Sequence, residues 1–146
     1  MVHQDADFVN ETEFAKTRAE LGAAFARILG YFREDGAKSI RAIEDAFRAR
    51  NAAALVTPAH TLKGEAAQFG AYRLSGMAEE IEMVARRCVE THEGPEELIE
   101  IVVALKPCFA QTMALLDRDA SPVVARRPAT FGRRADTTVS SFGRAL

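Results

Sequence analysis

The sequence predicts an all-α fold, an antiparallel up-down four-helix bundle with an additional N-terminal helix. Three observations carry this. Apolar residues recur at three- and four-residue spacing through most of residues 11–118. No segment sustains period-two alternation, so no strand is expected. The segments joining the apolar stripes are short, which makes consecutive helices antiparallel neighbours. A chain of 146 residues, 48% of them hydrophobic, is long enough for one domain around one core.

Residues 1–10 read as a flexible lead-in, 11–118 as the helical domain and 119–146 as a basic, disordered tail. The first helix runs from about Glu11 to Arg33, with Leu21, Phe25, Ile28, Leu29 and Phe32 on its apolar stripe. Gly22 and Gly30 weaken it, and Asp35-Gly36 marks a break or a bend. The second, about 36–50, turns Ile40, Ile43, Ala46 and Phe47 inward. Asn51 is a good N-cap for a third helix over 52–69, which Gly70 stops. The fourth, about 72–93, carries Leu74, Met77, Ala78, Ile81, Val84, Ala85 and Cys88. Gly94-Pro95 separates it from a fifth, about 95–118, with Leu98, Ile101, Val102, Leu105, Phe109, Met113 and Leu116 inward. Pro58 and Pro107 fall inside helical patterns whose stripes stay in register across them. Kinks are therefore expected there rather than ends.

Composition excludes several function classes. Residues 120–146 hold five arginines and one acid, whereas residues 1–119 hold 14 basic and 20 acidic residues. Such an acidic body does not read as a nucleic-acid binder. The acidic N-terminus lacks an apolar signal region, and no run approaches about 18 consecutive apolar residues. A cytoplasmic monomer with no membrane role is expected. Cys88 and Cys108 form neither a CxxC pair nor a zinc pattern, and read as idle thiols. Metal-binding bundles use Glu-x-x-His motifs, which this chain lacks; Glu79, Glu80 and Glu82 read as a solvated face. His3 and His92 read as plain surface. The tail repeats "FGR" at Phe131–Arg133 and Phe142–Arg144. It is expected to be a linker, or a docking peptide anchored by Phe131 and Phe142.

The chemistry lies in "AHTLKGEAAQFGA", residues 59–71. At about 100° per residue, Leu55, Leu62, Ala66 and Phe69 fall opposite His60. Lys63 and Gly64 flank the histidine, Ala67 lies below it and Gln68 to one side. His60 should therefore face solvent, with a cation beside it and little side-chain bulk around it. Neutral imidazole is a good nucleophile near pH 7, since its unperturbed pKa is about 6.5. It can attack a phosphoryl group, and the Lys63 ammonium would balance the charge of that group. Gln68 could hydrogen-bond to a partner or to phosphate oxygens. A glycine inside a helix costs about 1 kcal/mol relative to alanine. At Gly64, on the His60 face, that cost is explained by clearance for an approaching protein.

This stretch resembles the signature of the histidine phosphotransfer (HPt) domain family. The match runs through His60, Lys63, Gly64, Ala66, Ala67, Gln68, Phe69 and Gly70. The following "YRLSGMAEEIE", with Leu74, Ala78 and Glu82, is similar to the family's next helix. The resemblance covers roughly residues 18–118. It implies a bundle that relays phosphoryl groups, with His60 accepting phosphate from, or giving it to, aspartate in receiver domains of response regulators or hybrid histidine kinases. It implies no ATP site and no cofactor, the Mg²⁺ being the receiver's. The absence of a Walker glycine-lysine loop agrees. The alternative is an adaptor that docks receivers without carrying phosphate, for which His60 would be dispensable. Two positions depart from the pattern. Glu65 replaces a small residue, off the His60 face, and Pro58 sits two residues before the histidine.

Overall fold

The computed structural model describes residues 8–120, with their side chains through residue 118. The lead-in before Phe8, with His3, and the tail with both FGR repeats lie outside the described residues. Residues 1–115 form one compact unit and residues 116–146 a second. Of the second, the described part is the last turn of a helix.

Among the described residues five α-helices follow one another: α1 Glu11–Leu21, α2 Phe25–Arg48, α3 Ala52–Gln68, α4 Tyr72–Thr91 and α5 Ile99–Ala120. Single 3-10 turns, Gly22–Ala24 and Glu96–Leu98, lead into α2 and α5. The expected four bundle helices and one extra are present, but the division between the first two differs. The helix does not break at Asp35-Gly36. It breaks at Gly22, whose φ of +54° is a left-handed value that glycine tolerates. Gly36 instead stays helical and buried inside α2. A Cβ there would stand 2.6 Å from Cε1 of Phe109, so the glycine is a notch that lets α5 lie close against α2. Residues 25–33 therefore belong to the bundle, and the extra helix is the short α1.

The other boundaries follow local chemistry. Asn10 and Asn51 cap α1 and α3, their Oδ1 atoms accepting from the backbone N–H of Glu13 and Ala54 at 3.0 and 3.1 Å. The helical run of α3 ends at Gln68, because Gly70 has a φ of +74°. A Cβ at Gly70 would also meet the carbonyl oxygen of Asn10 at 2.9 Å. That closeness serves a bond: the Asn10 N–H donates to the Gly70 carbonyl at 2.7 Å. The α1 helix is thus pinned to the turn after α3, and the Thr17 hydroxyl adds a second tie to the Gln68 carbonyl at 2.5 Å. His92 ends α4 in the left-handed region, exposed as expected. Both prolines lie inside continuous helices, Pro58 in α3 and Pro107 in α5.

The stripes meet in a core that is aromatic at the α1 end. Phe14, Phe25, Phe69, Phe32 and Phe109 form a chain of ring contacts with centroids 5.2–6.0 Å apart. Beyond it, Ile43, Leu55, Leu62, Leu74, Ile81 and Leu105 are fully buried. Together such side chains supply the main folding force, about 1.5–3 kcal/mol each before chain entropy is counted. Cys88 and Cys108 are buried free thiols, and burial raises both pKa values. The span Glu96–Arg118 is long and apolar enough to cross a bilayer by length and composition, with a mean hydropathy of 1.6. On this span Leu98, Val102 and Leu105 are buried, as in a bundle helix.

Candidate functional site

Antiparallel packing of α3 and α4 places the signature beside the middle of α4. Alanines make this contact close. Ala59 and Ala66 of α3 and Ala78 and Ala85 of α4 are completely buried, so the two backbones approach without bulk between them. The Ser75 hydroxyl donates to the Lys63 carbonyl at 2.9 Å, which ties α4 to α3 beside the site.

His60 faces solvent, as its wheel position requires; its side chain is 62% exposed. Its Nδ1 lies 3.0 Å from Oε2 of Glu82 on α4. Glu82 is not part of a solvated face, and here the reading of the sequence is corrected. Glu79 and Glu80 are exposed, but the Glu82 side chain is only 7% exposed and lies under three cationic or ionisable groups. The signal was present in the pattern. Glu82 stands on the Leu74–Ala78–Ile81–Ala85 stripe, a charged residue at a core position, and such a residue needs partners.

Arg86, one turn along α4, donates to Glu82 Oε2 through Nη2 at 2.8 Å and Nε at 3.2 Å. Lys63 Nζ stands 3.0 Å from Oε1, an ion pair off the hydrogen-bond axis that leaves Oε1 without an aligned donor. Burial opposes the Glu82 charge, but Arg86, Lys63 and His60 outweigh it and lower its pKa to about 2. The carboxylate is therefore ionised at neutral pH and can only accept. It follows that the proton of a neutral His60 ring sits on Nδ1, facing Glu82, and that Nε2 carries the lone pair.

The remaining signature residues divide between exposed and structural positions. Among the described residues a Cβ on Gly64 would meet nothing within 4 Å, so neither their packing nor the backbone conformation calls for glycine there. Lys63 is nearer Glu82 than its wheel position alone implied, and its side chain is 31% exposed. Ala67 is half-buried below His60 and Gln68 is exposed at the end of α3. Phe69 and Gly70 build the core and the turn.

Glu65 points elsewhere, as expected. It lines a small groove with Tyr31 and Asp35 of α2 and with Gln68. Partial burial raises its pKa, and the nearby Asp35 charge adds to the rise.

A family model settles the kinship: the Hpt domain model matches residues 27–118. The chain belongs to the Hpt domain family. The fold agrees with a crystal structure of histidine-containing phosphotransfer protein B (HptB) from Pseudomonas aeruginosa PAO1. That match has a TM-score of 0.69 and 24% identity, and covers 78% of this chain and 95% of the other. No curated protein sequence matches the chain. As an Hpt domain, the protein serves phosphoryl transfer in a phosphorelay. The family match begins two residues into α2, so α1 precedes the matched residues.

Proposed function

We propose that His60 is the phosphoryl-carrying residue, exchanging the group with aspartate in receiver domains. The observation that carries this reading is the Nδ1 contact to an ionised, buried Glu82, which leaves Nε2 as an exposed nucleophile. In the forward step the Nε2 lone pair attacks phosphorus. A P–N bond forms, the bond from phosphorus to the aspartyl oxygen breaks, and the aspartate leaves as a carboxylate. The ring gains positive charge as the P–N bond forms, while keeping its Nδ1 proton. Glu82 faces that charge, so its attraction grows toward the transition state, the condition for lowering a barrier. Lys63 and Arg86 stand beside Glu82 and can turn toward the phosphoryl oxygens, because Arg86 is 58% exposed. The reverse transfer uses the same contacts.

Gly64, Ala67 and Gln68 form the surface over which a receiver approaches. The protein acts as a cytoplasmic monomer that exchanges phosphate and holds no nucleotide. The test is to mix it with a receiver carrying labelled aspartyl phosphate. Label should move to this chain as an acid-labile, alkali-stable phosphoramidate and be lost in His60→Gln. Label retained by the receiver, or accepted by His60→Gln, overturns the assignment.

A further inference from the structure

The face opposite His60 carries a second surface. In an up-down bundle α2 packs beside α5 on the side away from α3 and α4. There the two helices part into an apolar groove of about 350 Å³, a volume in the range of ligand and side-chain pockets. Its floor is Ile40, Phe109 and Met113, with Ala37 and Ala110 on the walls. The notch at Gly36 lets the Phe109 ring sink toward α2, so the ring lines the groove instead of filling it.

The rim has the opposite sign to the rest of the body. Arg33, Arg41 and Lys106 border it, against one acid, Glu44. Residues 1–119 as a whole hold 14 basic and 20 acidic residues. Arg41 and Lys106 are exposed and make no ion pair among the described residues.

The geometry points to a docking site for an acidic amphipathic helix of a partner protein, its apolar residues seated on Ile40, Phe109 and Met113 and its acids against Arg41 and Lys106. Charge complementarity selects this occupant. The arginine-bearing tail of this chain has the same sign as the rim. A second copy meeting this face with its own groove would oppose like charges. A bilayer prefers a protruding apolar surface to a groove between two helices. Helix-in-groove recognition needs what is present here, an apolar trough with anchoring depth and a charged border. Because α3 and α4 lie on the other side, a bound helix leaves His60 open, and the site would tether the carrier while it exchanges phosphate.

The test is selection from a display library of random 16-residue peptides on the full chain. Enriched peptides should carry apolar residues at helical spacing and a net negative charge. They should bind His60→Gln with unchanged affinity. They should bind the double charge reversal Arg41→Glu/Lys106→Glu at least tenfold more weakly, and the groove-filling variant Ala110→Trp likewise. Circular dichroism and unfolding of both variants confirm that the loss is not one of folding. No enrichment, enrichment of basic or uncharged sequences, or equal binding to the reversed variant overturns the proposal. So does dimerisation abolished by these substitutions, or binding to vesicles containing 30% phosphatidylglycerol where the peptides fail to bind.

Discussion

The two edges of α3 treat a glutamate in opposite ways. On the α4 edge, Glu82 is surrounded by His60, Lys63 and Arg86, and its pKa falls to about 2. On the α2 edge, Glu65 meets Asp35 and partial burial, and its pKa rises. Oε1 of Glu65 has no hydrogen-bond partner among the described residues. The residue type is the same and the helix between them is the same. The neighbours decide whether the carboxylate is a fixed charge that orients a histidine or a mildly unfavourable one facing another acid. Gly64 lies between these edges, and none of the described residues fills the space beside it.

The largest expected effect comes from removing the acid on the α4 edge. Glu82→Ala frees the His60 ring to rotate and to exchange tautomers. Phosphoryl acceptance should fall by about 10- to 100-fold, by analogy with the loss of the partner that orients a metal-bound imidazole. Glu82→Gln keeps an acceptor oxygen but loses the charge, and should fall between wild type and Glu82→Ala. Rates of label transfer measure both. Equal rates in all three proteins would remove Glu82 from the site.

Acid unfolding sharpens the same contrast. The folded pKa of Glu82 is below its unfolded value, so its contribution is complete above the unfolded carboxylate range, near pH 4.5. It is lost as pH falls through about 2. The contribution is on the order of 2 kcal/mol, discounted because its cationic partners are largely exposed. Denaturant unfolding of wild type and Glu82→Gln should converge in that window. Glu65 has the opposite sign. Its pKa is raised on folding, so it costs nothing at low pH. Its penalty appears as pH rises above the ordinary carboxylate range.

Much of this was legible in the sequence, for reasons tied to particular residues. His60, Lys63, Gly64 and Gln68 were legible because a helical wheel fixes which side chains share a face. Asn51 and Gly70 were legible because caps are local chemistry. The break near Gly36 was misplaced because a glycine in sequence does not say whether it serves φ or a neighbour's ring. Gly22 serves φ and Gly36 serves Phe109. Glu82 was hidden among Glu79 and Glu80, and its partners on α3 lie about 20 residues away, beyond any local pattern. Its place on the apolar stripe was the clue.

Two smaller effects complete the series. Gly64→Ala should stabilise α3 by up to about 1 kcal/mol, since the new methyl meets none of the described residues. It should nevertheless slow transfer from a receiver, because the methyl enters the surface a partner must cover. Stability gained with no loss of transfer would show that the glycine gives no clearance. Smallest of all, Glu65→Gln should raise stability at pH 7 by less than about 1 kcal/mol and leave phosphoryl acceptance unchanged. A loss of acceptance there would mean that the α2 edge belongs to the site.

The central claim is that ionised Glu82 holds the His60 proton on Nδ1 and leaves Nε2 to react. The direct measurement is nitrogen and phosphorus NMR of the phosphorylated, isotope-labelled protein. The account predicts a single P–N bond at Nε2 of His60. A phosphoryl group on Nδ1, or on any other residue, would contradict it.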